Sequence, residues 1–113
     1  MNILRKPISI ELNGKAYDFI LDFESAIVFQ DLYKKSIFMG IDEITRTQDL
    51  KALSCLIASC LKDKNGSVGM DFVYGIDLMN GLPFFMEKLG ELMENSLPEE
   101  DSDSDKKKVM TKN

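Results

Sequence analysis

The sequence predicts an α+β domain, with an N-terminal β-hairpin packed on a small bundle of about four helices and a disordered, charged C-terminal tail. Three observations carry this. Residues 7–12 and 15–21 alternate apolar and polar side chains around Asn13 and Gly14. Beyond residue 22, apolar residues recur at the three- and four-residue spacing of helices. From Pro98 onward only Val109 and Met110 are apolar among acids, lysines and small polar residues. Strands first and helices after them is the order of an α+β fold rather than of alternating βα units.

Asn13-Gly14 is the preferred pair for a two-residue type I′ turn, because both central residues need a positive φ. Tyr17, Phe19 and Leu21 then share one side of the second strand. Two strands alone are marginal in water, so helices must cover that face. Asp22 is a suitable N-cap for a helix over 24–35, with Ala26, Ile27, Phe29 and Tyr33 at helical spacing. Residues 36–40 read as a short apolar connector ending at Gly40, and 42–44 as a further turn.

Thr47 or Asp49 can cap the next helix, to about residue 61. Its wide stripe of Leu50, Leu53, Leu56, Ile57, Cys60 and Leu61 predicts the central buried helix. Charge and glycine content make 62–69 a loop. A short helix is expected over 71–79, weakened by Gly75 and stopped by Asn80-Gly81. Pro83 suits the first turn of a last helix running to about residue 95, with Phe85, Leu89, Leu92 and Met93 on its stripe.

The length of 113 residues suits one domain. Residues 1–97 form it. Residues 98–113 bury too little apolar surface to offset their ordering entropy and are expected to be disordered.

Composition narrows the chemistry. There is no histidine, so the commonest general base and metal ligand is missing. The net charge of −5 disfavours nucleic acid as a partner. No apolar run approaches eighteen residues and no leader sequence opens the chain, so a cytoplasmic protein without a membrane span is expected. Cys55 and Cys60, five residues apart on a helix, diverge and read as buried apolar residues rather than metal ligands. Asp101, Asp103 and Asp105 lack the glycine and closing glutamate of a calcium loop. No phosphate-binding glycine motif is present, and the sequence calls for no catalytic group, metal or cofactor.

A protein–protein surface is the remaining expectation. Met79, Met86 and Met93 recur every seven residues. Core filling is the simpler reading of them, and an adaptable docking surface the sharper one. Phe84, Phe85 and Met86 are consecutive, so one helical stripe cannot bury all three. At least one should face solvent or a partner. Phe84, Phe85, Met86 and Met93 are therefore the candidate partner-binding residues.

Residues 10–19, with Asn13-Gly14-Lys15 followed by Tyr17, and then Asp22, Phe23, Glu24, Ser25 and Ala26, resemble the start of the tail assembly chaperones of long-tailed phages and prophages. Residues 32–38 resemble the helix end and the Ser-Ile-Phe connector of that family. The layout is similar over 8–97 and the motifs over 10–38. The glycine-containing helix at 71–79 and the Phe84-Phe85 pair have no counterpart in it. The resemblance implies a non-enzymatic protein of the bacterial host cytoplasm. Such chaperones coat the apolar, helical tape measure protein, help recruit tail tube subunits and are absent from the finished virion. A longer frameshifted product is common in the family. Self-association stays open, as do two other classes: an acidic inhibitor that mimics DNA, and a structural adaptor of the tail or head-tail joint.

Overall fold

Asn13 and Gly14 close the first hairpin as the sequence requires. The computed structural model describes residues 3–96. In it β1 (Ile8–Leu12) and β2 (Lys15–Phe19) pair antiparallel with Leu12 opposite Lys15. The two residues between them have φ of 52° and 80°, the positive values of a type I′ turn. Ile10, Tyr17 and Phe19 are buried on one face, while Ser9, Glu11, Ala16 and Asp18 point to solvent on the other.

The sheet does not stop there. Residues 62–69, expected as a loop, hold most of a second hairpin, β3 (Leu61–Asp63) and β4 (Gly66–Ser67). β3 pairs antiparallel with β2, giving a four-stranded sheet in the order β1-β2-β3-β4. These strands are too short to display an alternation. What holds them is long-range: Leu61 sits opposite Phe19 with both side chains fully buried, and the Lys62 ammonium lies 3.5 Å from Asp22 and also pairs with Glu24.

α1 (Phe23–Tyr33) begins at Asp22, whose carboxylate accepts the Ser25 N–H at 2.8 Å. Ser25 is fully buried, and its hydroxyl donates to the Ile20 carbonyl at 3.0 Å, so the buried polar group is satisfied. Phe29 and Tyr33 face the core, but Ile27 is exposed. The helix ends two residues earlier than expected, with Lys34 in the left-handed region.

The expected connector and turn over 36–44 are instead part of α2 (Ile37–Thr47), capped by the Ser36 hydroxyl, which accepts the Met39 N–H. Gly40 does not terminate it. A Cβ at Gly40 would lie 2.2 Å from Phe29 Cζ, so the glycine marks the close approach of α1 and α2.

α3 (Leu50–Cys60) is the central buried helix, as expected, and Asp49 is its cap, accepting the Ala52 N–H at 2.9 Å. Eight of its eleven residues are buried, so beyond its first turn hardly any face is left for water. Cys55 and Cys60 are buried free thiols, and burial raises both, Cys60 to about 12.

The C-terminal helices also depart from expectation. α4 (Met70–Tyr74) is a single turn ending at Gly75, and α5 (Leu78–Ser96) starts five residues earlier than expected. Asn80 and Gly81 lie inside α5 because the Asp77 carboxylate accepts the Asn80 N–H at 2.9 Å and starts the helix. Pro83 is then its sixth residue, where it cannot donate to the Met79 carbonyl. The described residues thus hold five helices rather than about four. Phe85, Leu89 and Leu92 form the buried stripe of α5, and the Phe85 ring meets Phe19 edge-on at 6.0 Å, seating α5 on the sheet. Far along the helix, Asn95 Nδ2 donates to the Lys6 carbonyl at 2.7 Å.

No helix among the described residues is long and apolar enough to cross a membrane. The expected disordered tail at 98–113, and the domain end at residue 97, lie outside the described residues.

Candidate partner-binding groove

The four sequence-selected side chains share α5 but not one environment. Phe85 is only 2% exposed and belongs to the core. Phe84, Met86 and Met93 are half-buried and pack against that core. Phe84 lies edge-on to Phe85 at 5.0 Å, and the Lys88 ammonium sits 5.5 Å from its ring centre. None of the three consecutive residues is fully exposed. Two half-buried flanks accommodate what one stripe cannot.

A concave apolar surface that opens to solvent lies along the N-terminal turns of α5. There the start of α5 stands apart from α3, and α4 closes one end of the gap. The result is a groove of about 240 Å³. Leu53, Ile57, Val73 and Phe85, all buried, form its floor. Its rim carries Leu50, Tyr74 and Leu78, which are 49%, 75% and 55% exposed. Met79, beside Leu78, is 80% exposed. Large apolar residues this exposed around one concavity are a mark of an interaction site.

Local sequence explains the gap. Gly81 turns bare backbone toward the 75–77 link: a Cβ there would lie 2.4 Å from Ile76 Cγ2. Ile76 therefore folds under the first turn of α5 and joins the groove wall. Ser54, the small polar residue on the groove face of α3, leaves room where a larger side chain would fill it. Of the lining residues only Asp77 is charged, and both of its hydrogen bonds, from Asn80 N–H and Nδ2, fall on Oδ2.

Met79, Met86 and Met93 now lie on one helix, flanking its buried stripe. Met79 is the exposed member because α5 runs past the core at its N-terminal end. Of the rim residues, Leu50 was expected on the buried stripe of the central helix but stands at its exposed first turn, and Tyr74 and Leu78 were not singled out by sequence. The available signal was the seven-residue methionine repeat, which continues one helix back to residue 79.

Ionisable groups elsewhere are mostly tied to the scaffold. The Tyr33 hydroxyl donates to Glu43, which raises the tyrosine to about 12 and, with Lys35 at 3.1 Å, holds Glu43 below its ordinary value. Burial alone would raise the Asp22 carboxyl, but its bonds from Ser25 and the nearby Lys62 and Arg5 outweigh this and lower it. Among the described residues no group of three acidic, cysteine or histidine side chains is placed to hold a metal ion. A wider, shallow depression beside Pro7, Ile8, Glu91 and Glu94 offers no apolar floor comparable to that of the groove.

Comparison with protein-family models, with curated proteins and with solved structures finds no match to this chain.

Proposed function

We propose that this chain is a tail assembly chaperone of a long-tailed phage or prophage. It acts without catalysis in the host cytoplasm. It binds an apolar helical stretch of the tape measure protein, helps recruit tail tube subunits, and leaves before the virion is complete. The observation that carries this reading is the groove between α3, α4 and α5. Its buried apolar floor and exposed apolar rim suit the apolar face of a helix, the helix-in-groove mode of recognition. The resemblance over residues 10–38 supplies the family.

The charge arrangement favours this reading over a DNA mimic. A mimic needs a free, regular row of carboxylates. Here Asp22 and Glu24 pair with Lys62, Glu43 with Lys35, Asp42 with Arg46 and Glu91 with Lys88. Such pairing offsets these five carboxylates locally.

The test is co-expression with the tape measure protein of the phage or prophage that encodes this chain. The expected result is a soluble complex that survives gel filtration in moderate salt, because apolar contacts are little screened. Equal solubility of that protein with and without this chain, and no complex, would sink the proposal. Mass spectrometry of purified particles separates the chaperone from an adaptor: the chaperone is absent and the adaptor is retained.

A further inference from the structure

The size and charge of the groove specify more than an apolar helix. This step rests on the binding mode proposed above and names what the bound helix carries. An apolar cavity of about 150 Å³ holds a benzene ring. The groove, at about 240 Å³, therefore seats two aliphatic side chains or one ring with part of a second. On a helix, residues four apart stand about 5–6 Å from each other on the same face, which makes them the natural pair to enter together.

Charge sets the remainder. The only ionised lining group is a carboxylate, and it sits next to the exposed Leu78 rather than among the floor residues. Asp77 Oδ1 accepts no hydrogen bond from the described residues, because both bonds to this carboxylate reach Oδ2. A cation at the groove mouth meets an acceptor, whereas an anion there meets a like charge. We infer that the groove selects a partner helix bearing two aliphatic anchors at i and i+4 and a lysine or arginine about one turn beyond them, placed against Asp77.

The experiment uses the full chain and two fluorescently labelled 18-residue amphipathic peptides. Both carry leucines at i and i+4. They differ only one turn to either side of that pair, where one has lysine and the other glutamate. In low salt the lysine peptide is expected to bind about tenfold more tightly by fluorescence anisotropy. That ratio should fall toward one in about 1 M salt. It should also fall in Asp77→Asn, since asparagine caps a helix as well as aspartate does and removes only the charge. Ser54→Phe, which projects a ring into the groove from a half-buried position, should weaken both peptides at least tenfold while leaving the circular dichroism spectrum unchanged. If Ser54→Phe unfolds the chain, Leu50→Ser on the exposed rim serves as the second block.

Equal affinity of the two peptides, or an undiminished ratio in Asp77→Asn, overturns the charge selection. Binding undisturbed by the groove variants, or no binding of either peptide, overturns the groove as the seat. A soluble complex formed by co-expression in spite of a folded Ser54→Phe variant would leave the chaperone reading standing and remove this inference alone.

Discussion

On one side α3 meets α1 and α2, and on the other it meets α4 and faces the start of α5 across a gap. Toward α1 and α2 the contact is closed. Phe29 fills the space over Gly40, and Asp22, Ser36 and Asp49 each cap a helix start with a side-chain bond. Toward α5 the contact is left open. Gly81 admits Ile76, Ser54 supplies little volume, and the first turns of α5 include Pro83. One helix can thus be the centre of a rigid core on one side and the wall of a binding site on the other. The difference lies in side-chain volume, not in overall hydrophobicity.

The largest test of that contrast sets two leucines against each other. Leu56→Ala, at a fully buried position of α3, should cost about 2–5 kcal/mol through lost burial and a cavity. Leu78→Ala on the rim should stay within about 0.5 kcal/mol. Urea titrations of both variants measure the difference, and a large loss at Leu78 would mean that the α5 start is packed after all.

Two glycines sharpen the comparison at smaller amplitude. Gly40→Ala should destabilise by about 1–3 kcal/mol, because the new methyl group must displace the Phe29 ring. Gly90→Ala in α5 meets nothing within 4 Å and should stabilise by about 0.5–1 kcal/mol through helix propensity. Thermal melts report both signs.

Hydrogen exchange should grade the same two sides within one molecule. Amides in the middle of α3 should open only with global unfolding, whereas those near Leu82 should exchange at a lower free energy. Uniform protection across both helices would erase the contrast.

The smallest effect is electrostatic. Asp22 has its folded-state pKa lowered below the ordinary 3.8, so it contributes stability that is fully present above that value. The contribution is lost as pH falls through the lowered folded value, and its size is reduced by solvent screening at this partly exposed site. Asp22→Asn should flatten this part of the acid limb in a pH series of denaturation midpoints.

Legibility followed how locally each element is determined. The first hairpin was readable because Asn13-Gly14 dictates its turn and five residues on each side are enough to show a period of two. α3 was readable from Asp49 and a stripe wider than any loop would carry. α2 was missed, although Ile37, Ile41 and Ile44 stand at helical spacing, because Gly40 reads as a stop until Phe29 is known to lie over it. The second hairpin owes its existence to a pairing with β2 that no window of neighbouring residues contains. For α5, the local breakers Asn80, Gly81 and Pro83 pointed to a later start, and they lost to the Asp77 cap and to the packing of Leu82 and Phe85. The groove inherits that error. Leu78 stands on its rim because α5 starts early, and the sequence-selected Phe85 lies on its floor rather than on its rim.

The pairing of Phe19 with Leu61 also governs when this chain can become a protein. Residues 20–60 must lie between those two strands, and they contain α1, α2 and α3. During synthesis the first hairpin emerges early but has only its own two strands, too few to persist alone. Its partner strand is not yet made. Three helices therefore emerge before the sheet is complete, and closure of so long a loop comes late in assembly. The nascent chain is for that interval a client of the kind of protection that the finished molecule is proposed to give.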